Sequence, residues 1–249
     1  MSYFGNKRQE VEIIYNNINF DNVETVIEPF CGSCAMSYYI YLQKPNLKFI
    51  LNDNNKNLKL MYELIKNDEK CIEFNEKFKV ECQNFKGNKA KYIEATSKDT
   101  VMSWFIKNKI YTIRPGLFPS KPYKEEIDIR NYPISDFFRN ANIEFYDIDA
   151  ITIYDKYKTD KKSLILLDPP YISRCNDFYI DPSTNIYEYL FTNNINNEKA
   201  KIYLFLENIF IIKMLFDTKN NKFITYGKKY ETSKKNTEHI IISNQKNVV

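Results

Sequence analysis

Residues 164–171 read Leu-Ile-Leu-Leu-Asp-Pro-Pro-Tyr. Four consecutive apolar, strand-compatible residues describe a β-strand buried on both faces, as in the interior of a parallel sheet. The two prolines stop it, because each removes a backbone donor and fixes φ. Asp168 is thereby left at the carboxyl end of the strand, the edge at which open α/β sheets bind ligands. Taken alone, the tetrapeptide also reads as a strand ending in a proline turn with a capping Asp, and only its company elsewhere in the chain separates the two readings.

That company begins at residues 23–34, Val-Glu-Thr-Val-Ile-Glu-Pro-Phe-Cys-Gly-Ser-Cys, a short β-rich run, a tight turn and then a helical pattern over 35–42. The chain has only 5 glycines, and Gly32 falls in this turn, where the lack of a Cβ lets backbone approach a ligand. A second strand at 48–51 ends in Asn52-Asp53-Asn54. An acidic residue about 20 positions after a glycine turn is where nucleotide-binding α/β domains place a carboxylate on ribose hydroxyls. Helices are expected over 7–18 and 57–65, and further strands at 143–146, 201–206, 222–226 and 239–243, with a helix over 209–216. Between about 68 and 139 the alternation breaks into Lys- and Glu-rich helical stretches and a basic, aromatic loop from Arg114 to Lys124.

The chemistry of Asp168-Pro169-Pro170-Tyr171 looks like that of an amino-methyltransferase. An exocyclic amine on adenine or cytosine is a poor nucleophile, since its lone pair is delocalised into the ring. The Asp168 carboxylate and the Pro169 carbonyl can accept both amine hydrogens and favour a pyramidal nitrogen. Tyr171 can stack on the base, which is worth on the order of 1–3 kcal/mol.

Tyr3-Phe4-Gly5-Asn6-Lys7, Glu28-Pro29-Phe30-Cys31-Gly32, Asn52-Asp53 and Asp168-Pro169-Pro170-Tyr171, in this order, resemble the Dam-type family of adenine-N6 DNA methyltransferases over nearly the whole chain. A narrower likeness, in residues 175–179, 185–189 and 237–242, is to members from large DNA viruses. The resemblance implies a Rossmann-like α/β methyltransferase fold, with a mostly parallel sheet and a helical target-recognition insertion. Residues 1–67 and 141–249 would form the catalytic domain and 68–140 the insertion. It implies S-adenosyl-L-methionine as cofactor. Tyr3 and Lys7 would hold the carboxylate end of the cofactor, and Glu28, Phe30, Cys31, Gly32 and Ser33 would form the turn beneath it. Asp53 would accept from its ribose, Asn54 and Asp149 would lie near its adenine, and Asp168 would border it. The substrate would be double-stranded DNA, with Asn176 and Tyr179 at a flipped base and Arg114, Lys121, Lys228 and Lys229 on the backbone. A homodimer or a paired restriction endonuclease stays open.

Two positions depart from the family: Asn6 and Cys34 stand where it usually has a second glycine in each motif. Asn is the non-glycine residue most tolerant of φ > 0, and Cys34 is small enough to face the sheet. Cytosine-N4 or RNA adenine methylation remain alternatives, as does a degenerate methyltransferase retained for DNA binding. Ser is more frequent than Asp at the catalytic position among cytosine-N4 enzymes, which favours adenine.

Composition narrows the setting. At 249 residues and 43% hydrophobic content, the chain can bury a sizeable core. A net charge of +4 permits nucleic-acid binding without requiring it. Its 5 cysteines and single histidine offer no second CxxC and no His pair, which argues against zinc. No secretory signal precedes the cysteines, so reduced thiols in a cytoplasmic or viral-factory setting are expected rather than secretion, and no apolar run reaches the ~20 residues of a membrane span. His239, ahead of an apolar strand, is assigned to structure, and Trp104 to a helical core.

Overall fold

The apolar run ahead of Asp168 is a strand, Ser163–Leu167, every residue of which is buried. The computed structural model describes residues 7–109, 128–171, 186–216, 221–229 and 236–245. Among these the elements are, in chain order, α1 (Val11–Tyr15), β1 (Thr25–Glu28), α2 (Ala35–Gln43), β2 (Lys48–Asn52), α3 (Lys56–Ile65), α4 (Asp68–Phe85), α5 (Lys89–Ser97) and α6 (Val101–Lys109). They continue with α7 (Ser135–Asn140), β3 (Asn142–Tyr146), α8 (Ala150–Tyr157), β4 (Ser163–Leu167), α9 (Ile186–Thr192), β5 (Lys201–Glu207), α10 (Phe210–Phe216), β6 (Lys222–Lys229) and β7 (Asn236–Ser243).

The chain divides into two units, one of them formed by Phe4–Asn55 with Ala141–Val249. Its described strands make a seven-stranded sheet in the order β3-β2-β1-β4-β5-β7-β6. The pairs β1 with β2, β1 with β4, β2 with β3 and β4 with β5 are parallel, and β7 runs antiparallel to both β5 and β6. This is the mostly parallel α/β sheet expected from the sequence. Ile27, Ile50, Ile165, Leu167, Ile202 and Leu204 fill one core on it, which is why these strands read as continuous apolar runs rather than as alternations. From β1 the chain moves outward to β2 and β3 and then returns to β4 on the other side of β1. The carboxyl ends of β1 and β4 therefore flank the reversal of strand order, the position where open α/β sheets leave a crevice for ligands.

The expected helix over 7–18 is much shorter. Residues ahead of Val11 form a turn closed by the Glu10 N–H on the Lys7 carbonyl at 2.7 Å, and no side chain caps the helix that follows. Uncapped, it retains only the segment whose Val11 and Ile14 are buried.

The other unit comprises Lys56–Asn140 with the first three residues, and among its described residues the regular elements are all helices. Cys71, Phe74, Phe78, Cys82 and Phe85 repeat every three or four positions along α4 and are its buried face. Phe105 meets Phe74 and Phe78 edge-on, each at 5.3 Å between centroids, and Tyr62 stacks on Phe138 at 4.3 Å. Trp104 is only half-buried, while Phe105 and Ile106 take the core positions of α6. The assignment of Trp104 to the core is therefore one residue out of phase. Asn67 starts α4 by accepting from the Lys70 N–H at 2.9 Å. Asn67→Ala is expected to lower stability by about 1 kcal/mol, seen as an earlier urea midpoint; an unmoved midpoint would contradict this capping role.

Candidate active site

Three neighbouring strands, β2, β1 and β4, each carry an acidic group at or just after the carboxyl end. β4 delivers Asp168, β1 ends in Glu28, and Asp53 follows β2. The turn after β1 is built on backbone geometry. Gly32 has φ 45° and Cys34 φ 55°, both left-handed, and the Cys34 N–H closes on the Cys31 carbonyl at 2.7 Å. Cys34 thus holds the conformation that glycine adopts freely, at about 1–2 kcal/mol for a residue with a Cβ. Complete burial of its side chain offsets that cost. The departure from the family pattern at this position leaves the turn intact.

Asp53 ties the turn to β2. Its carboxylate accepts from the Gly32 N–H and from the Asn55 N–H, each at 3.0 Å. Burial pushes its carboxyl up to about 6, and these two N–H groups pull it back. Beside it, Asn52 is a buried strut that sequence reasoning passed over. Its side chain donates to the carbonyls of Pro29 at 2.9 Å and Ile148 at 3.0 Å and accepts from the Ile148 N–H at 3.1 Å. Two loops are held to the end of β2 by one amide, a function that no local pattern signals.

Glu28 is buried, and its Oε2 has no hydrogen-bond partner among the described residues. Burial lifts its carboxyl to about 8, with Ser37 lowering it and Asp168 raising it further. The folded protein thus keeps a proton that the unfolded chain releases near pH ~4.3, so the stability linked to Glu28 is fully present below that pH and is lost as pH rises through about 8. Glu28→Gln, which cannot ionise, is expected to gain stability over the parent progressively between about pH 5 and pH 8. Urea unfolding at several pH values reads this directly, and a constant difference between the two proteins would refute it.

Asp168 is held by Lys7. The ammonium lies 2.7 Å from Asp168 Oδ1, with the lysine side chain 4% exposed and the aspartate 24%. Lys7 also donates to the Tyr171 hydroxyl and stands 4.9 Å from the centre of that ring. The Pro170 carbonyl accepts from the Tyr187 hydroxyl at 2.8 Å, which fixes the turn from the other side. Tyr171 is 9% exposed.

The remaining expected residues divide. Phe30 packs on the core of the sheet, Cys31 and Ser33 are buried and Asn54 is exposed. Burial pushes the Cys31 thiol up. Asp149 caps α8, accepting from Ile151 and Thr152 N–H groups at 2.8 and 3.2 Å. Tyr3, Asn6, Arg114, Lys121, Asn176 and Tyr179 lie outside the described residues. Lys228 and Lys229 are in β6, and only their backbone is described. Among the described residues no group of three or more His, Cys, Asp or Glu side chains is gathered as a metal site, and no helix is long and apolar enough to cross a membrane.

Residues 3–117, which contain the turn after β1 and Asp53, match the family of D12 class N6 adenine-specific DNA methyltransferases. The chain is also 26% identical to the type II methyltransferase M.MjaIII of Methanocaldococcus jannaschii, across 93% of this chain and 87% of that protein. Both likenesses are to DNA methyltransferases, and the family matched is specific for adenine N6. The matched segment carries the turn after β1, while Asp168 and Tyr171 come from beyond it. The relative spans both.

Proposed function

We propose that this protein is a DNA adenine-N6 methyltransferase of the D12 class, acting at the carboxyl end of β4 on an adenine turned out of double-stranded DNA, with S-adenosyl-L-methionine as methyl donor. The observation that carries the reading is the fixed carboxylate of Asp168, at the reversal of strand order and 2.7 Å from a buried lysine. The residues present fit the cofactor. A left-handed glycine turn permits close backbone approach, Asp53 keeps acceptor capacity beyond its two N–H bonds, and Glu28 offers a buried oxygen without a hydrogen-bond partner among the described residues. Glu28, Phe30, Cys31, Gly32, Ser33, Asp53 and Asn54 would hold it.

When bound, S-adenosyl-L-methionine supplies an electrophilic methyl group on a sulfonium. The protein's part is to orient the amine. Asp168 and the Pro169 carbonyl accept the two N6 hydrogens and turn the lone pair out of conjugation. Tyr171 forms a wall of the base site, its hydroxyl engaged inward. Rate enhancement then comes from positioning and preorganised acceptors rather than from a titrating base. Extruding the base costs a few kcal/mol, recovered in the pocket. The helical segment 68–140 is our candidate for reading the target site, with Arg114 and Lys121 on phosphates.

The test is nucleoside mass spectrometry of unmethylated plasmid DNA after incubation with the protein and S-adenosyl-L-methionine, beside an Asp168→Ala control. N6-methyladenine made by the parent alone is expected. N4-methylcytosine would transfer the activity to the other base, and no methylated base would overturn the reading.

A further inference from the structure

Behind Asp168 and Lys7 lies a set of buried polar groups that the proposed chemistry does not use. The Tyr171 hydroxyl, which receives a hydrogen bond from Lys7, stands 3.5 Å from His239 Nδ1. His239 is fully buried in β7, where its register neighbours are Glu207 of β5 and Tyr226 of β6. The same nitrogen lies 3.4 Å from Glu10 Oε2. That oxygen accepts from the Tyr226 hydroxyl at 2.8 Å, and Glu10 is itself buried. The His239 ring meets Tyr171 edge-on at 5.5 Å and Tyr226 at 5.7 Å.

The contacts therefore run without a break from Asp168 through Lys7, Tyr171, His239 and Glu10 to Tyr226. They join the turn before α1, the turn after β4, and strands β6 and β7. The next three residues after His239 in β7 are Ile240, Ile241 and Ile242, all fully buried. An apolar side chain at 239 would continue that pattern, and taking a carboxylate and an imidazole out of water is unfavourable unless they serve each other. The polar choice is explained by what it orients. Tyr226 fixes Glu10, Glu10 fixes the imidazole, and the imidazole meets the hydroxyl that Lys7 shares with Asp168.

We infer that His239 and Glu10 are positioning residues for methyl transfer, holding the Tyr171 hydroxyl and through it the Lys7 ammonium that orients Asp168. The inference rests on the reading of Asp168 and Tyr171 as the target-base site. Small displacements of a positioned group cost up to about 100-fold in rate.

The experiment compares steady-state methylation of unmethylated plasmid DNA by the parent, His239→Leu, His239→Asn and Tyr226→Phe, with urea unfolding of each. His239→Leu is expected to lower kcat about 10- to 100-fold with KM for S-adenosyl-L-methionine within about twofold of the parent. His239→Asn, whose amide nitrogen falls near the position of Nδ1, restores most of that loss. Tyr226→Phe removes one hydroxyl and no ring, and is expected to lower kcat about 2- to 10-fold with KM unchanged. If His239→Leu does not fold, the other two variants decide. Parental kcat in both Tyr226→Phe and the folded His239 variants overturns the inference, as does a His239→Asn no better than a folded His239→Leu. A parent that makes no N6-methyladenine instead overturns the reading of the site, and this inference with it.

Discussion

Asp168→Ala is expected to abolish methylation of adenine N6, lowering kcat by at least about 10³-fold, while the affinity for S-adenosyl-L-methionine stays within about threefold of the parent. Removing one preorganised polar contact from a reacting group costs about 10²–10³-fold, and under the proposed function the lost group is charged and would accept one of the two amine hydrogens. The Pro169 carbonyl alone leaves the lone pair in conjugation. Fold stability also falls, because Lys7 is 4% exposed and breaking a buried ion pair leaves a charge uncompensated, at about 3–5 kcal/mol when both partners are dry. Asp168 is about a quarter exposed, which moves the expected loss below that range. Asp168→Asn separates the two effects. Its amide oxygen still accepts from Lys7, so it should lie between parent and Ala in activity and close to the parent in stability. An Ala variant that kept a tenth of parental turnover would remove Asp168 from the reaction.

Lys7→Met carries the second large effect. Methionine fills the space of the lysine stem but leaves Asp168 and Tyr171 without their shared ammonium. The carboxylate is then free to rotate toward water, and kcat is expected to fall about 100-fold, as for a misplaced catalytic group. Stability should change less than in Asp168→Ala, since the group left behind is the one with solvent access. Steady-state kinetics also separates this function from the one the family resemblance implies for Lys7, the carboxylate end of the cofactor. An unchanged kcat with a raised KM for S-adenosyl-L-methionine would assign Lys7 to the cofactor.

Much of the sheet was legible before any coordinates. Residues 164–167 and 49–51 are runs of apolar residues too short for a helix of any length, and such runs become interior strands because burial on both faces removes the need for alternation. Strand β7 was legible for the same reason in Ile240-Ile241-Ile242. Asp168 followed from the two prolines, whose effect on the backbone is local and independent of the rest of the chain. The turn at Gly32 and the acidic residue after β2 were legible because one backbone conformation and one spacing carry their function.

What tertiary structure alone decided was who meets whom. Asn52 read as the end of a strand, yet its amide joins loops that lie 23 and 96 residues away in the chain. Glu10 and His239 carried no signal of a shared site, because their neighbours in sequence describe only a helix start and a strand. Tyr226 and Glu10 are 216 residues apart. Asp149 read as a residue near the cofactor, and that its carboxylate caps α8 is a contact the sequence reading did not include. Local pattern encodes which side chains leave water and which backbone conformations are open to them. The pairing of polar groups inside the protein depends on how the strands are ordered in the sheet, and that order is set by packing over distances that spacing along the chain does not record.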